Sequence, residues 1–170
     1  MLKYSKVASQ LKKEDAFLAR FGDTLYAGRA YWMLRMPYAD ALLVKLKVPL
    51  YTELEDGEVR TRSEAIKKLS VGNFIKFFTG PDMPCTFSYL YQSTISGKKE
   101  ELSAVFYPEQ GAPIHISKTF TDLVDLRAAS ASANNLNGVI LTGRDAEMTI
   151  AGFRYVAGNS FLVPEAPAHE

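Results

Sequence analysis

An α+β fold, mainly antiparallel sheet with about three helices packed on it, follows from three features of the sequence. Apolar residues recur at helical spacing in three places. Between these places the period shortens to the alternation of strands. Each helical stretch is followed by several short extended segments that end at Gly, Asn or Pro. The composition agrees: 170 residues, 47% hydrophobic and 23% charged, can bury a core without disulfides or metals. One domain is expected over residues 1–164, with subdivisions near 58 and 112 where the pattern restarts, and a flexible tail at 165–170.

The first helix is expected in "LKYSKVASQLKKED", where Tyr4, Val7, Ala8 and Leu11 fall on one face. Lys3, Lys6, Gln10 and Lys13 form the opposite, basic face. From Ala16 the pattern is extended, with Gly22-Asp23 as a turn and "GRAYWMLRMPY" as the segment richest in aromatic residues. In that segment Arg29, Tyr31, Met33 and Arg35 are expected on one face, and Ala30, Trp32, Leu34 and Met36 on the other. A further strand is expected at "ALLVKLKVPL", limited by Pro49.

The second helix is expected in "TRSEAIKKLSVG". Thr61 and Glu64 have capping-box spacing, Ala65, Ile66 and Leu69 share a face, and Gly72 is a stop. Its exposed side carries Arg62, Lys67 and Lys68. Three extended segments follow: "NFIKFFTG", "CTFSYLYQSTI" and "ELSAVFYPE". The third helix is expected after the short strand "APIHIS", capped by Thr119 with Asp122, and carrying Phe120, Leu123, Val124, Ala128 and Ala131 inward. Its outer side, with Lys118, Asp122 and Asp125, is mildly acidic, which suits a structural lid. Asn137-Gly138 then turns the chain into two or three closing strands.

Several function classes are disfavoured by this inventory. Lys and Arg number 20 against 19 acidic residues, so any basic surface is local. The single cysteine, Cys85, forms no internal disulfide, which points to a reducing compartment, with the cytoplasm as the default. No apolar run has the length of a signal-peptide core or a membrane span, so no membrane partner is expected. No Cys/His spacing suggests zinc, and no phosphate loop or dinucleotide fingerprint suggests a nucleotide cofactor, so neither metal nor cofactor is expected. Glu53, Glu55, Asp56 and Glu58 cluster, but without the alternating spacing of a calcium loop.

The block from "ELSAVFYPEQGAPIHISKTFTDLVDLRAAS" through "NGVILTGRDAEMTIAGFRYVAGNSFLVP" resembles the closing half of a DNA sliding-clamp domain in its element order. The segment "DTLYAGRAYWMLRMPYADALLVKLKVPL" is similar to the sheet that opens such a domain. At 170 residues the chain would be a shortened or viral form, and its end lacks the methionine-proline usual in that family. The resemblance implies a non-catalytic scaffold in DNA replication or repair that self-associates around or beside duplex DNA. It also implies helices turning Lys and Arg toward the phosphates, here Lys3, Lys6, Lys13, Arg62, Lys67 and Lys68. Such contacts are sequence-independent and weaken with salt.

Two alternatives stand beside it. A protein-interaction module, a viral or bacterial inhibitor or adaptor, would use an aromatic sheet face with Arg29, Tyr31 and Arg35 to meet a protein partner. The same face also suits stacking on single-stranded nucleic acid. A small enzyme would use His115, oriented by Asp122 or Asp125, or Cys85 as a nucleophile. No catalytic residue is assigned on the first two readings.

Overall fold

The computed structural model describes residues 1–38, 54–61, 67–88, 91–96, 99–135 and 137–152. Among the described residues twelve strands, numbered in chain order, form one antiparallel sheet: eleven follow the path β5-β4-β1-β2-β3-β12-β11-β10-β6-β8-β7, and β9 pairs with the free side of β8. The helices are short, so the fold is mainly β and only roughly α+β.

The chain enters through α1, Tyr4–Gln10, and then forms a meander of β1, Phe17–Phe21, β2, Thr24–Arg29, and β3, Trp32–Pro37. Gly22 sits at φ +57 in the β1–β2 turn, a left-handed conformation in which a Cβ is strained. Later, α3, Lys118–Thr121, and a 3-10 turn at Leu126–Ala128 lead into β10, Ser130–Ala133, β11, Val139–Thr142, and β12, Glu147–Ile150. A helix followed by a three-strand meander thus occurs twice. The two copies meet antiparallel at β3 and β12, where Leu34 faces Met148 and Trp32 faces Ile150.

The remaining strands extend the two ends of this sheet. β4, Glu58–Thr61, pairs with β1 and with β5, Lys67–Lys68. At the other end β6, Met83–Phe87, joins β10 to β8, Lys99–Pro108. β7, Gln92–Ser96, follows β6 along the same side of β8, and β9, Ile114–Ser117, takes the opposite side.

The registers fix which residues share a face. Leu18, Leu25, Ala27, Trp32, Leu34, Met148, Ile150, Leu141 and Val139 point one way and are buried. They pack with Val7 and Leu11 of α1, with Leu123, Val124 and Leu126, and with Ala104, Phe106 and Ile116 of the second strand group. The other face presents Ala19, Tyr26, Met33, Val59 and Ile140, covered by Phe74 and Phe78. β3 is therefore buried on both faces over most of its length, which is why its sequence reads as a nearly continuous apolar run.

Several sequence expectations are corrected here. "NFIKFFTG" is not a strand: α2, Gly72–Ile75, and a 3-10 turn at Lys76–Phe78 occupy it. Phe74 and Phe78 lie four apart, so one helical face delivers both rings to the sheet. Thr79 closes the turn by donating its hydroxyl to the Ile75 carbonyl at 3.0 Å. The helix expected at "TRSEAIKKLSVG" is replaced at its ends by strands, since Thr61 ends β4 and Lys67-Lys68 form β5. Pairing of β4 with β1 overrides the local capping signal, and Leu69, expected inside, is 42% exposed. Arg62 and Glu64, the strand at "ALLVKLKVPL" and the tail at 165–170 lie outside the described residues.

The third helix is cut to a single turn. Lys3 donates its backbone N–H to the Leu123 carbonyl at 2.8 Å, and Asp125 donates to the Met1 carbonyl at 2.7 Å. The N-terminal residues thus pair with the backbone that helix continuation would have used, with Leu2 opposite Val124. Asp125 accepts from the Arg127 N–H at 3.2 Å and starts the following 3-10 turn. Ser130 and Ala131, expected in the helix, begin β10.

Leu34 is fully buried at the join of the two meanders. Leu34→Ala is expected to cost about 2–5 kcal/mol of stability, read from the urea midpoint. The exposed helix substitution Ser9→Ala is expected to stay within about 0.5 kcal/mol.

Candidate functional site

The pairing of Leu2 with Val124 sets α1 beside α3 over the same face of the sheet. The residues turned inward from this layer are Val7, Leu11, Leu123 and Val124, all nearly inaccessible. What α1 turns outward is Lys3, Ser5, Lys6 and Ser9, with Lys13 exposed beyond its end. The cations gather around one carboxylate. Lys118 reaches Asp122 at 2.5 Å, and Lys6 reaches the same oxygen at 3.6 Å. Burial would raise the Asp122 pKa, but the hydrogen bond from Lys118 and the charges of Lys118, Lys6 and Lys3 hold it below the usual carboxylate value. The lid expected from the sequence is thus acidic at Asp122, yet lysines from two elements surround that acid.

Two of the other basic residues expected at the DNA face are placed elsewhere. Lys67 and Lys68 stand in edge strand β5 and not on a helix, so they do not join the α1 face through a second helix.

Arg29, Tyr31 and Arg35 do not share a face. A two-residue turn at Ala30-Tyr31 separates β2 from β3, so Arg29 lies opposite Trp32 while Arg35 lies opposite Tyr26. Alternation across "GRAYWMLRMPY" holds only for one unbroken strand, and the turn breaks it. Arg29 donates to Asp15 at 2.7 Å and also to Gln10. Arg35 pairs with Glu147 across the central join and lies 4.7 Å from the Phe78 ring centroid. Tyr31 is 63% exposed at the hairpin tip, with its ring 5.9 Å from that of Phe120.

The two candidate catalytic side chains, Cys85 and His115, are both buried. Burial pushes the Cys85 thiol up to about 11, so it stays protonated at neutral pH and is a poor nucleophile. His115 lies opposite Val105 in the β8–β9 pair and is 5% exposed. Burial lowers its pKa. Asp122 is taken up by lysines, and Asp125 caps a turn. Of the acidic cluster, Glu58 is buried against Arg60 at 2.6 Å, and Asp56 accepts the Gly22 N–H at 2.7 Å. Glu53 lies outside the described residues. Among the described residues, no group of three or more His, Cys, Asp or Glu side chains is placed to hold a metal ion. No helix among them is long and apolar enough to cross a membrane.

A cleft that sequence reasoning missed, of about 500 Å³, opens between the β2–β3 hairpin tip and α2, lined by Phe17, Tyr31, Leu69, Phe74, Lys76 and Phe77 among others. Phe74 and Phe77 line it three residues apart, a spacing that fits one helical face and not one strand face.

The His115 environment gives a pH signature with a definite sign. Because its folded pKa is lowered, the unfolded chain binds the proton more readily. The stability contribution is complete above the unfolded value of about 6.5 and is lost as the pH falls below it. Urea midpoints at successive pH values should therefore decline below that point in the wild type, with the decline reduced in His115→Gln. Equal declines in both proteins would remove His115 as the source. No known protein family, curated protein or solved structure matches this chain.

Proposed function

We propose that this protein is a non-catalytic scaffold of sliding-clamp-like architecture, which self-associates and contacts duplex DNA through the lysine face of α1. The supporting observation is the side-by-side seating of α1 and the α3 turn over one sheet face. This brings Lys3, Lys6 and Lys118 together around Asp122, with Lys13 exposed beyond the end of α1. The doubling of a helix and three-strand meander about the β3–β12 join suits the same architecture.

The electrostatics favour a phosphate partner over a sequence-reading one. Lys3, Lys6 and Lys13 are flexible point charges on an exposed helix, with no planar fork of donors to read a base edge. The chain's net charge of +1 gives no long-range field, so attraction depends on this local cluster and on low salt. Asp122 offsets part of it. A surface pair of that kind contributes little, however, and a phosphate oxygen offers the lysines an equivalent acceptor.

The test is fluorescence anisotropy of a labelled duplex across a salt series. The wild type should bind different sequences alike and lose affinity steeply with salt. The triple variant Lys3→Glu, Lys6→Glu, Lys13→Glu should bind far more weakly. A charge-neutral version with Gln at the three positions should lower the log-log salt slope by roughly three, about 0.9 for each phosphate that a lysine no longer neutralises. Unchanged binding in both variants would overturn the assignment of the α1 face.

A further inference from the structure

The cleft beside α2 is chemically distinct from the lysine face. Phe17, Tyr31, Phe74 and Phe77 supply aromatic walls, Leu69 and Met33 supply aliphatic ones, and the volume of about 500 Å³ is that of a small-molecule site. Among the described residues, the charged side chains lining it are Arg29 and Lys76, and no carboxylate does. The Lys76 ammonium lies 5.1 Å from the Phe77 ring centroid and has no carboxylate partner among the described residues. Arg29 is held by Asp15 and Gln10 through Nε and Nη1. Those contacts already satisfy its charge, so Lys76 is the lining cation available to an anion. Asn73 adds an amide to the same lining.

Exposed large apolar residues concentrate here as well. Of five among the described residues, Tyr31 and Leu69 line the cleft, and Val71 and Ile75 belong to the α2 segment that forms its wall. An apolar hollow costs nothing to desolvate, whereas an anion entering it needs a cation at the mouth. Here Lys76 is in place. We infer that the cleft binds a small aromatic carboxylate, with its ring among Phe17, Phe74 and Phe77 and its anionic group toward Lys76.

The experiment uses 1-naphthoate as probe and uncharged 1-naphthamide as its control, followed by amide NMR shifts of the full chain. Saturable shifts at Ala30, Tyr31, Asn73 and Lys76 are expected with the carboxylate. Lys76→Glu, a surface change that leaves the fold intact by circular dichroism, should weaken naphthoate by about fivefold, the scale of one partly exposed charge pair. The amide should be indifferent to that change. Equal affinity for both probes, insensitivity of naphthoate to Lys76→Glu, or shifts confined to other regions would overturn the inference. So would occupation of these residues by an oligothymidine strand or an acidic peptide while naphthoate fails to bind.

Discussion

The join between β3 and β12 is the constraint on which the rest of the molecule depends. It pairs residues far apart in the chain, Arg35 with Glu147 being 112 positions from one another. Closing so long a loop carries an entropic cost, although one that grows only slowly with length. The offset comes from side chains almost wholly removed from water on one face, Trp32, Leu34, Met148 and Ile150. On the other face the Arg35–Glu147 pair crosses the join, and the Glu147 hydrogen bond holds the Arg35 guanidinium still more firmly in its charged form. Because Arg35 also lies over Phe78, the same residue ties the join to the aromatic cover.

With both faces of the central strands buried, each cover acquires a different outer surface. On one side α1 and the α3 turn seal the core with Val7, Leu11 and Leu123 and leave lysines outward. On the other, α2 brings Phe74 against Phe17, Phe21 and Tyr26, at ring separations of 5.8, 5.1 and 5.4 Å. That cover leaves an apolar cleft at its margin. A basic face and an apolar cleft thus arise from one requirement, that a sheet apolar on two sides be covered twice.

The sequence made α1, the Gly22 turn, the Asn137-Gly138 turn and most of the strands legible, because their signals are local. Asn137 adopts φ 57 at the turn, as an Asn-Gly pair would suggest. What local pattern does not carry is pairing between distant segments. Residues after Asp122 are apolar at helical spacing, yet the N-terminal residues Met1 to Lys3 claim their backbone groups. Lys67 and Lys68 follow a capping signal, yet β4 claims them for a sheet edge. The α1 lysines were visible in the sequence as an exposed stripe, whereas their gathering with Lys118 about Asp122 depends on the Leu2–Val124 contact. The cleft was illegible for a related reason. Its walls come from β1, the β2–β3 tip and α2, elements separated by tens of residues.

The solution mass by light scattering, with and without duplex DNA at low and moderate salt, bears most directly on the scaffold reading. The expected result is a closed oligomer that gains the mass of the duplex at low salt and releases it as salt rises. A monomer whose mass is the same with and without DNA at every salt concentration would contradict it.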